Sequence, residues 1–495
     1  MRSLRPRLLD AWEATALTVS LGYTDRRVQR ELGFIDTRDA GACVFRLCSI
    51  QPQRGEDWEA PRTDSIWATV LRSAVSSMVY AVPWLAVFVA QTIQPEAMRL
   101  PGVVAPALSL ALMFSLVASG GLVQAIARRG EFYVGLRQMG LARHAVGTLL
   151  RIGVAIIVAA ALVGMCIGRY FNLFAWPVLV LGGDWFIIMS VLWVVCGICA
   201  IRQQQWRVAV AFAAGFATFG AARAAGADVL TSQFVAVSVV LATAIGQAYR
   251  LFRATDSRAD QARNVPMPRL SVLIFCTVPY FWYGTVYFAF LFADRLTAGS
   301  AFAVVSKGPF GTPAQYNLGM ELALLTLLVA TSGVEVAGAL FSRAFTEEGL
   351  RPLSGTAEPL AAVLRRHHLR ALALTLSTFA VVTVIIWILG PRALQDSLTP
   401  YARTTQFAGT AGYACLAVGL LNSLVLFKTS HQWTVVRTFS TALFINLVAG
   451  YILSHALETL HAVDGLLIGA GYFAVASTLA IRRTLKRPDF AYAVS

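Results

Sequence analysis

The sequence has 495 residues, of which 57% are hydrophobic and only 14% are charged, and its mean hydropathy is +0.64. This composition cannot cover a soluble protein of that size with polar surface, so it excludes the soluble classes and indicates a polytopic membrane protein. The formal net charge is +15. Because cytoplasmic loops of membrane proteins collect Arg and Lys, we favour that origin of the charge over nucleic-acid binding.

The N-terminal segment, residues 1–65, comes before any apolar stretch long enough to cross a bilayer. It contains a helix-like stretch at 9–21, followed by the basic run Arg26-Arg27-Val28-Gln29-Arg30. The segment is too short for an independent domain with a sizeable core. It is interrupted by charges and is not a cleavable signal peptide. We expect it to lie along the membrane surface or to dock onto a partner.

Apolar windows of about 20 residues predict an all-α protein with about twelve transmembrane helices. Residues 171–182, just before the fourth span, are also apolar and are left open as a re-entrant or interfacial piece. The predicted spans are 66–92, 103–127, 146–168, 182–201, 206–224, 229–251, 270–293, 316–341, 369–390, 406–427, 433–455 and 463–481.

The charges of the loops orient these spans. If both termini are cytoplasmic, the loops on the opposite side hold only seven of the 41 Lys and Arg residues. Such an asymmetry favours an even number of spans and both termini inside. The seven are Arg99, Arg169, Arg223, Arg295, Lys307, Arg392 and Arg403.

The basic linker 253–269 divides the spans into two six-helix lobes, 66–252 and 270–482, and a cytoplasmic tail follows at 483–495. Each lobe starts inside, so the repeat is parallel, with its axis along the membrane normal. This arrangement resembles two transporter groups, the major facilitator group and a superfamily of flippases. The second resemblance implies a flippase-like fold that works by alternating access.

Catalytic motifs are absent from the sequence: it has no P-loop spacing, no HExxH, no GxSxG and no cluster of His and Cys. We therefore predict no enzyme, no catalytic or metal-binding residues and no cofactor. His367 and His368 lie in a basic loop and are expected to be solvated.

Polar groups inside the spans are costly in lipid, so they tend to face a bundle interior or a watery cavity. Glu335 is the strongest candidate, since small residues surround it, and we expect it to pair with Arg437 or Arg72. Asn422 is a further candidate for a solute pathway.

The seventh span is rich in aromatic residues and reads VPYFWYGTVYFAFLFADRL from Val278 to Leu296. Its rings continue through the middle of the span, whereas simple interfacial anchors belong at the two headgroup levels. A cavity lined by such rings suits a carbohydrate, a lipid-linked sugar or a flat organic cation. The sugar-stacking candidates are Tyr280, Trp282, Tyr283 and Tyr287, and Asp294 and Arg295 are predicted to lie at the outer mouth.

Several patches resemble the membrane transporter subunit of the Pel exopolysaccharide system, in the multidrug, oligosaccharidyl-lipid and polysaccharide flippase superfamily. The seventh span ends in Asp294-Arg295, and an outer segment GPFGTPAQYNL and a long apolar helix follow. The patches SLVASGGLVQ before Arg128, and LLNSLVLF before a helix with Asn446, are similar to other spans of that family. The first 65 residues have no counterpart in its short N-terminus.

The resemblance implies an inner-membrane subunit that moves an exopolysaccharide, as in biofilm formation, or a lipid-linked saccharide across the cytoplasmic membrane. It also implies a cytoplasmic glycosyltransferase and other inner-membrane secretion subunits as partners, besides membrane lipids. Two alternatives stay open: a cation-coupled small-molecule exporter of the same fold, dependent on Glu335 and Asp184, and a non-transporting scaffold that holds a polysaccharide synthase.

Overall fold

The computed structural model describes residues 11–50, 65–75, 100–253, 269–306, 311–350, 357–393 and 398–486, except for 21, 69, 101, 103, 137, 202–203 and 205. Within these ranges the chain is helical and contains no strand. Most of the first predicted span, 66–92, lies outside the described residues; its beginning forms a short apolar helix, Ile66–Val75.

Three short helices form the N-terminal segment: α1 (Ala11–Ser20), α2 (Asp25–Leu32) and α3 (Thr37–Ile50). The helix predicted at 9–21 is confirmed, and α1 packs against α3. Asp25 ties α2 to α3, because its Oδ1 accepts hydrogen bonds from the backbone N–H of Thr37 at 2.9 Å and from the Thr37 hydroxyl at 2.7 Å. These bonds hold the pKa of the Asp25 carboxyl below its usual range.

Five long helices of the first lobe are described, at the positions of the second to sixth predicted spans. The first of these helices continues well beyond residue 127, where the second predicted span ends. They are α4 (Val104–Gly135), α5 (Met139–Tyr170), α6 (Trp176–Ala200), α7 (Trp206–Ala224) and α8 (Val229–Arg253). Residues 171–182 form no separate re-entrant piece, since α6 begins at Trp176 with Pro177 in its first turn, where a missing N–H costs nothing.

Six long helices form the second lobe, at the positions of the six predicted spans. They are α9 (Leu270–Ser306), α10 (Ala314–Leu350), α11 (Ala357–Ala393), α12 (Pro400–Lys428), α13 (Gln432–Ala456) and α14 (Ala462–Thr484), with a short 3₁₀ turn at Thr459–His461 before α14. Ten of the described helices of the two lobes are long and apolar enough to cross a membrane; α7 is the exception.

Each lobe has its own apolar core. In the first lobe, α4 packs against α5 and α6 through fully buried side chains such as Ile126, Ile157 and Leu192. In the second lobe, the rings of Phe439 and Phe473 stack with centroids 4.2 Å apart and planes 9° from parallel. Such stacking and burial hold α13 against α14.

The lobes meet where α4 crosses α9. Gly120 and Gly121 of α4 lie against Gly284 and Thr285 of α9, and a Cβ on Gly120 would lie 2.8 Å from the carbonyl oxygen of Gly284. Only glycine allows two helix backbones to approach this closely. The two helices are antiparallel, so Gly135 of α4 lies near the end of the bundle at which α9 begins. We call this the Leu270 end and the opposite one the Ser306 end.

Candidate functional site

Five polar side chains converge between the lobes on the Leu270 side of the glycine crossing. Gln124, Arg128 and Glu131 come from α4, Glu335 from α10 and Lys428 from α12, and all five are exposed although their helices are apolar. Glu131 interacts electrostatically with both Arg128 and Glu335, and Lys428 interacts with Arg128. Because these interactions join the two lobes, the five side chains line the space between them, which we call the cleft.

The spacing along α4 explains how one helix supplies three of these groups. Gln124, Arg128 and Glu131 are four and three residues apart, so they share one helix face. Gly120 precedes Gln124 by four residues and continues the same face. Gly120, which contacts α9, and the polar residues of the cleft therefore lie on successive turns of the same face of α4.

Three tyrosines of α9 lie beside the cleft; Tyr283 and Tyr287 are part-buried and Tyr280 is buried. Tyr280, Tyr283 and Tyr287 are spaced by three and four residues and lie on one face. The guanidinium carbon of Arg128 lies 5.4 Å from the ring centroid of Tyr280, which is within cation–π range. Gln432 of α13 donates a hydrogen bond to the Tyr280 hydroxyl at 3.3 Å. The structure thus brings a predicted stacking residue next to a charged group of the first lobe.

Glu335 lies among the other two tyrosines. Both Tyr283 and Tyr287 interact electrostatically with its carboxylate. Tyr283 also contacts the ring of Phe427 edge-on, with centroids 4.9 Å apart. The structure therefore gathers Glu335 and three of the four predicted stacking residues in a single place.

Trp282, the fourth predicted stacking residue, is placed elsewhere. It is two residues from Tyr280 and so is rotated by about 200° around the helix. Its side chain is 49% exposed, and its Nε1 donates to the hydroxyl of Ser440 on α13 at 2.9 Å. Its exposure and its place on another face of α9 from the three tyrosines put it outside the cleft.

Asp294 and Arg295 are buried inside the second lobe, so their predicted position at the outer mouth is wrong. The prediction ended the span at 293, whereas α9 continues to Ser306 and carries both residues in its interior. Arg295 Nη1 lies 3.6 Å from Asp294 Oδ1 and donates to the carbonyl oxygen of Leu291 at 3.2 Å. The Tyr316 hydroxyl donates to Asp294 Oδ2 at 3.1 Å.

Glu321 of α10 is a second carboxylate beside this buried pair. The Glu321 side chain is exposed and interacts electrostatically with Arg295. The guanidinium of Arg295 therefore has one fully buried carboxylate and one exposed carboxylate beside it. A buried charge needs such partners, and here they come from both α9 and α10.

Asn422 lies in the interior of the second lobe and not in the cleft. Its Oδ1 is 3.0 Å from His368 Nε2, and its Nδ2 donates to the hydroxyls of Ser477 at 3.0 Å and Thr478 at 2.9 Å. The prediction that His368 is solvated is wrong: the side chain is buried because α11 begins at Ala357 and carries His368 into the bundle.

The two arginines predicted to pair with Glu335 are both exposed. Arg437 lies on α13 and Arg72 in the helix Ile66–Val75. Within the described part of the chain no salt bridge joins Glu335 to Arg437. The charged neighbour of Glu335 is instead a second carboxylate, Glu131.

Comparisons with known proteins give a clear answer at the level of fold. No family model matches the chain, and no curated protein matches it. Among solved structures it is similar to an outward-facing multidrug resistance MATE family transporter of the MOP superfamily, with a TM-score of 0.63 at 13% identity, covering 86% of this chain and 97% of that chain. It is also similar to MATE in the straight conformation, with a TM-score of 0.62 at 14% identity and the same coverage.

The chain has the MATE transporter fold. A MOP superfamily transporter from Pyrococcus furiosus, whose reversed binding-pocket polarity suggests a different function, also matches with a TM-score of 0.54 at 16% identity, over 86% of this chain and 97% of that chain. This fold has two lobes, as the sequence predicts. Identities this low show the fold alone.

Gln124 was singled out from the sequence as a polar group inside its span, but three of the eight residues of the cleft were not named as site residues: Arg128, Glu131 and Lys428. The reason is that the second span was ended at 127, which placed Arg128 and Glu131 in a solvated loop. The helix α4 in fact continues to Gly135. The signal that identifies them is the regular spacing of polar residues on one helix face from Gln124 onwards.

Proposed function

We propose that this protein is an inner-membrane transporter that moves an exopolysaccharide or a lipid-linked saccharide by alternating exposure of the cleft. The observation that carries the proposal is the composition of the cleft: tyrosine rings on one wall, with amide and charged groups of both lobes around them. Tyrosine rings stack on the apolar faces of sugar rings, and the neighbouring groups hydrogen-bond to hydroxyls.

The charges of the cleft also favour a saccharide. Arg128 and Lys428 carry positive charges and Glu131 and Glu335 carry negative ones, so the four balance formally. A neutral solute with many hydroxyl groups can satisfy both kinds of group by hydrogen bonds, and it leaves no unpaired charge of its own. The two basic groups further suit the phosphate of a lipid-linked saccharide.

The sequence resemblance to the Pel membrane subunit supports the same class of substrate. It covers the second, seventh, eighth, tenth and eleventh predicted spans, which include the cleft helices α4, α9, α10 and α12. With this function, the Leu270 end faces the cytoplasm, because the basic loops lie there. Both termini are then cytoplasmic, and a glycosyltransferase that makes the saccharide docks at that end.

A second candidate is a cation-coupled small-molecule exporter. It is favoured by the electrostatic contact between Glu131 and Glu335, since two carboxylates that repel each other readily share a proton or take up a cation. The multidrug transporters of the same fold are compatible with it. A synthase scaffold without transport remains the third alternative, and it would leave the cleft without a role.

Secretion of the polymer by cells that carry single variants tests the proposal. Tyr287→Ala removes a ring from the cleft, and Trp282→Ala removes a ring from the outer surface of the same helix. We expect Tyr287→Ala to reduce secretion at least tenfold and Trp282→Ala to leave it unchanged, at equal amounts of folded protein in the membrane. Normal secretion by both Tyr287→Ala and Tyr283→Ala, with both variants folded, would exclude the stacking role of the tyrosines.

A further inference from the structure

A pocket separate from the cleft opens beside α10 and α11 at the Leu270 end. Its volume is about 360 Å³. Arg343 of α10 and His367 and Arg370 of α11 line it, together with apolar side chains that include Leu340, Leu374 and Ile66. None of the described residues that line it carries a carboxylate, and none of them belongs to the cleft. The pocket therefore combines a basic rim with an apolar wall.

The level of the pocket relative to the bilayer follows from the charges along its two helices. Arg370 directly precedes residues 371–391 of α11, which contain no charged side chain. This stretch is about 30 Å long, which matches the hydrocarbon thickness of a bilayer. On α10, Arg343 ends the uncharged stretch 336–342. Arg370 thus lies where the apolar part of α11 ends, at the level expected for the lipid phosphates, and Arg343 lines the same pocket.

Basic side chains at this level attract anionic headgroups. His367 and Arg370 are three residues apart and lie on one face of α11, and Arg343 adds a third basic side chain from α10. A phosphate bound beside these side chains interacts favourably with them. The apolar wall below the basic rim suits an acyl chain that continues from the anion into the bilayer.

We propose that this pocket binds the phosphate headgroup of an anionic phospholipid. Arg370 donates hydrogen bonds to the phosphate oxygens, and His367 lies beside it as a second donor. One acyl chain lies against Leu340 and Ile66. The proposal concerns a lipid that stays with the protein, and it holds whichever solute passes through the cleft.

Titration of the purified full-length protein with phosphatidylglycerol in an uncharged detergent tests this proposal. The measurement is the shift of the thermal unfolding midpoint, from which an apparent dissociation constant is obtained. We expect phosphatidylglycerol to raise the midpoint, and phosphatidylcholine and inorganic phosphate at equal concentration to leave it unchanged. Arg370→Gln should weaken the binding of phosphatidylglycerol about fivefold, as expected for the loss of one basic contact at a membrane surface.

Arg366→Gln is the matched control, because Arg366 is exposed on the same helix and does not line the pocket. It should bind phosphatidylglycerol like the unmodified protein. Arg370→Lys keeps the charge and should retain most of the binding, whereas His367→Gln should weaken it. These two variants test the lipid site if Arg370→Gln does not fold. Equal weakening by Arg366→Gln, unchanged binding by Arg370→Gln or His367→Gln, or an equal shift with inorganic phosphate would overturn the proposal.

Discussion

Gly120 of α4 and Gly284 of α9 lie in direct backbone contact where the two lobes cross. A Cβ on Gly120 would lie 2.8 Å from the carbonyl oxygen of Gly284, and a Cβ on Gly284 would lie 2.8 Å from Cγ of Gln124. The contact thus joins the lobes one turn away from the first polar residue of the cleft. If the angle between the lobes changes, α4 and α9 have to pivot or slide against each other at this crossing.

The first prediction concerns this contact. Gly284→Ala should lower the thermal unfolding midpoint and strongly reduce transport, because the added methyl group forces the two backbones apart. Overpacking of this kind typically costs about 1–3 kcal/mol. Gly246→Ala in α8 is the control, since a Cβ there meets nothing within 4 Å and the substitution should be neutral or slightly stabilising. Equal unfolding midpoints for Gly284→Ala and Gly246→Ala would show that the contact between α4 and α9 tolerates the added methyl group.

The second prediction concerns the carboxylates that face each other across the cleft. Glu335→Lys turns the repulsion between residue 335 and Glu131 into attraction between the lobes. We expect transport to fall at least tenfold while the unfolding midpoint stays equal or rises. Adding Glu131→Lys restores repulsion and should recover part of the transport. If the double variant transports less than Glu335→Lys alone, the two side chains do not act on each other.

The third prediction concerns the buried ion pair. Arg295→Gln leaves the Asp294 carboxylate buried without its countercharge, which should destabilise the protein by about 3–5 kcal/mol. Asp294→Asn combined with Arg295→Gln should recover a large part of that loss. Arg403→Gln serves as the control, because Arg403 is exposed on α12 and its replacement should change stability by less than about 0.5 kcal/mol. Thermal or denaturant unfolding in detergent distinguishes these variants.

The fourth prediction concerns pH and the N-terminal helices. The pKa of Asp25 is lowered in the folded state by its bonds from Thr37, so the carboxylate stabilises the α2–α3 contact above the ordinary pKa of about 3.9. This stabilisation is lost as the pH falls through the lowered value. Asp25→Asn should reduce the hydrogen-exchange protection of the Thr37 amide near neutral pH and remove the acid dependence of that protection. Unchanged protection would mean that other contacts hold α3.

Helix positions in this protein follow from hydropathy because lipid forces each span to satisfy its backbone internally. The span boundaries do not follow in the same way. Charges end a hydropathy window, but a charged residue such as Arg128 or Arg295 can continue a helix when it faces a cleft or a buried partner. For this reason α4 and α9 are longer than predicted, and Asp294 lies inside the second lobe.

The aromatic run of α9 also shows how far a sequence determines a site. The spacing of Tyr280, Tyr283 and Tyr287 places them on one face, and Trp282 on another, from helix geometry alone. Which of these faces meets the cleft depends on the packing of α9 against α4 and α13. That packing rests on Gly120 and Gly284, residues whose role is visible only when both lobes are in place.

Transport by the purified protein in sealed proteoliposomes tests the central claim most directly. The rate of transfer of a fluorescent lipid-linked oligosaccharide across the bilayer is measured beside that of an organic cation such as ethidium under a proton gradient. We predict transfer of the oligosaccharide, at least a tenfold loss with Tyr287→Ala, no loss with Trp282→Ala, and no gradient-driven movement of ethidium. Movement of ethidium without any transfer of the oligosaccharide would contradict the account and establish the cation-coupled exporter.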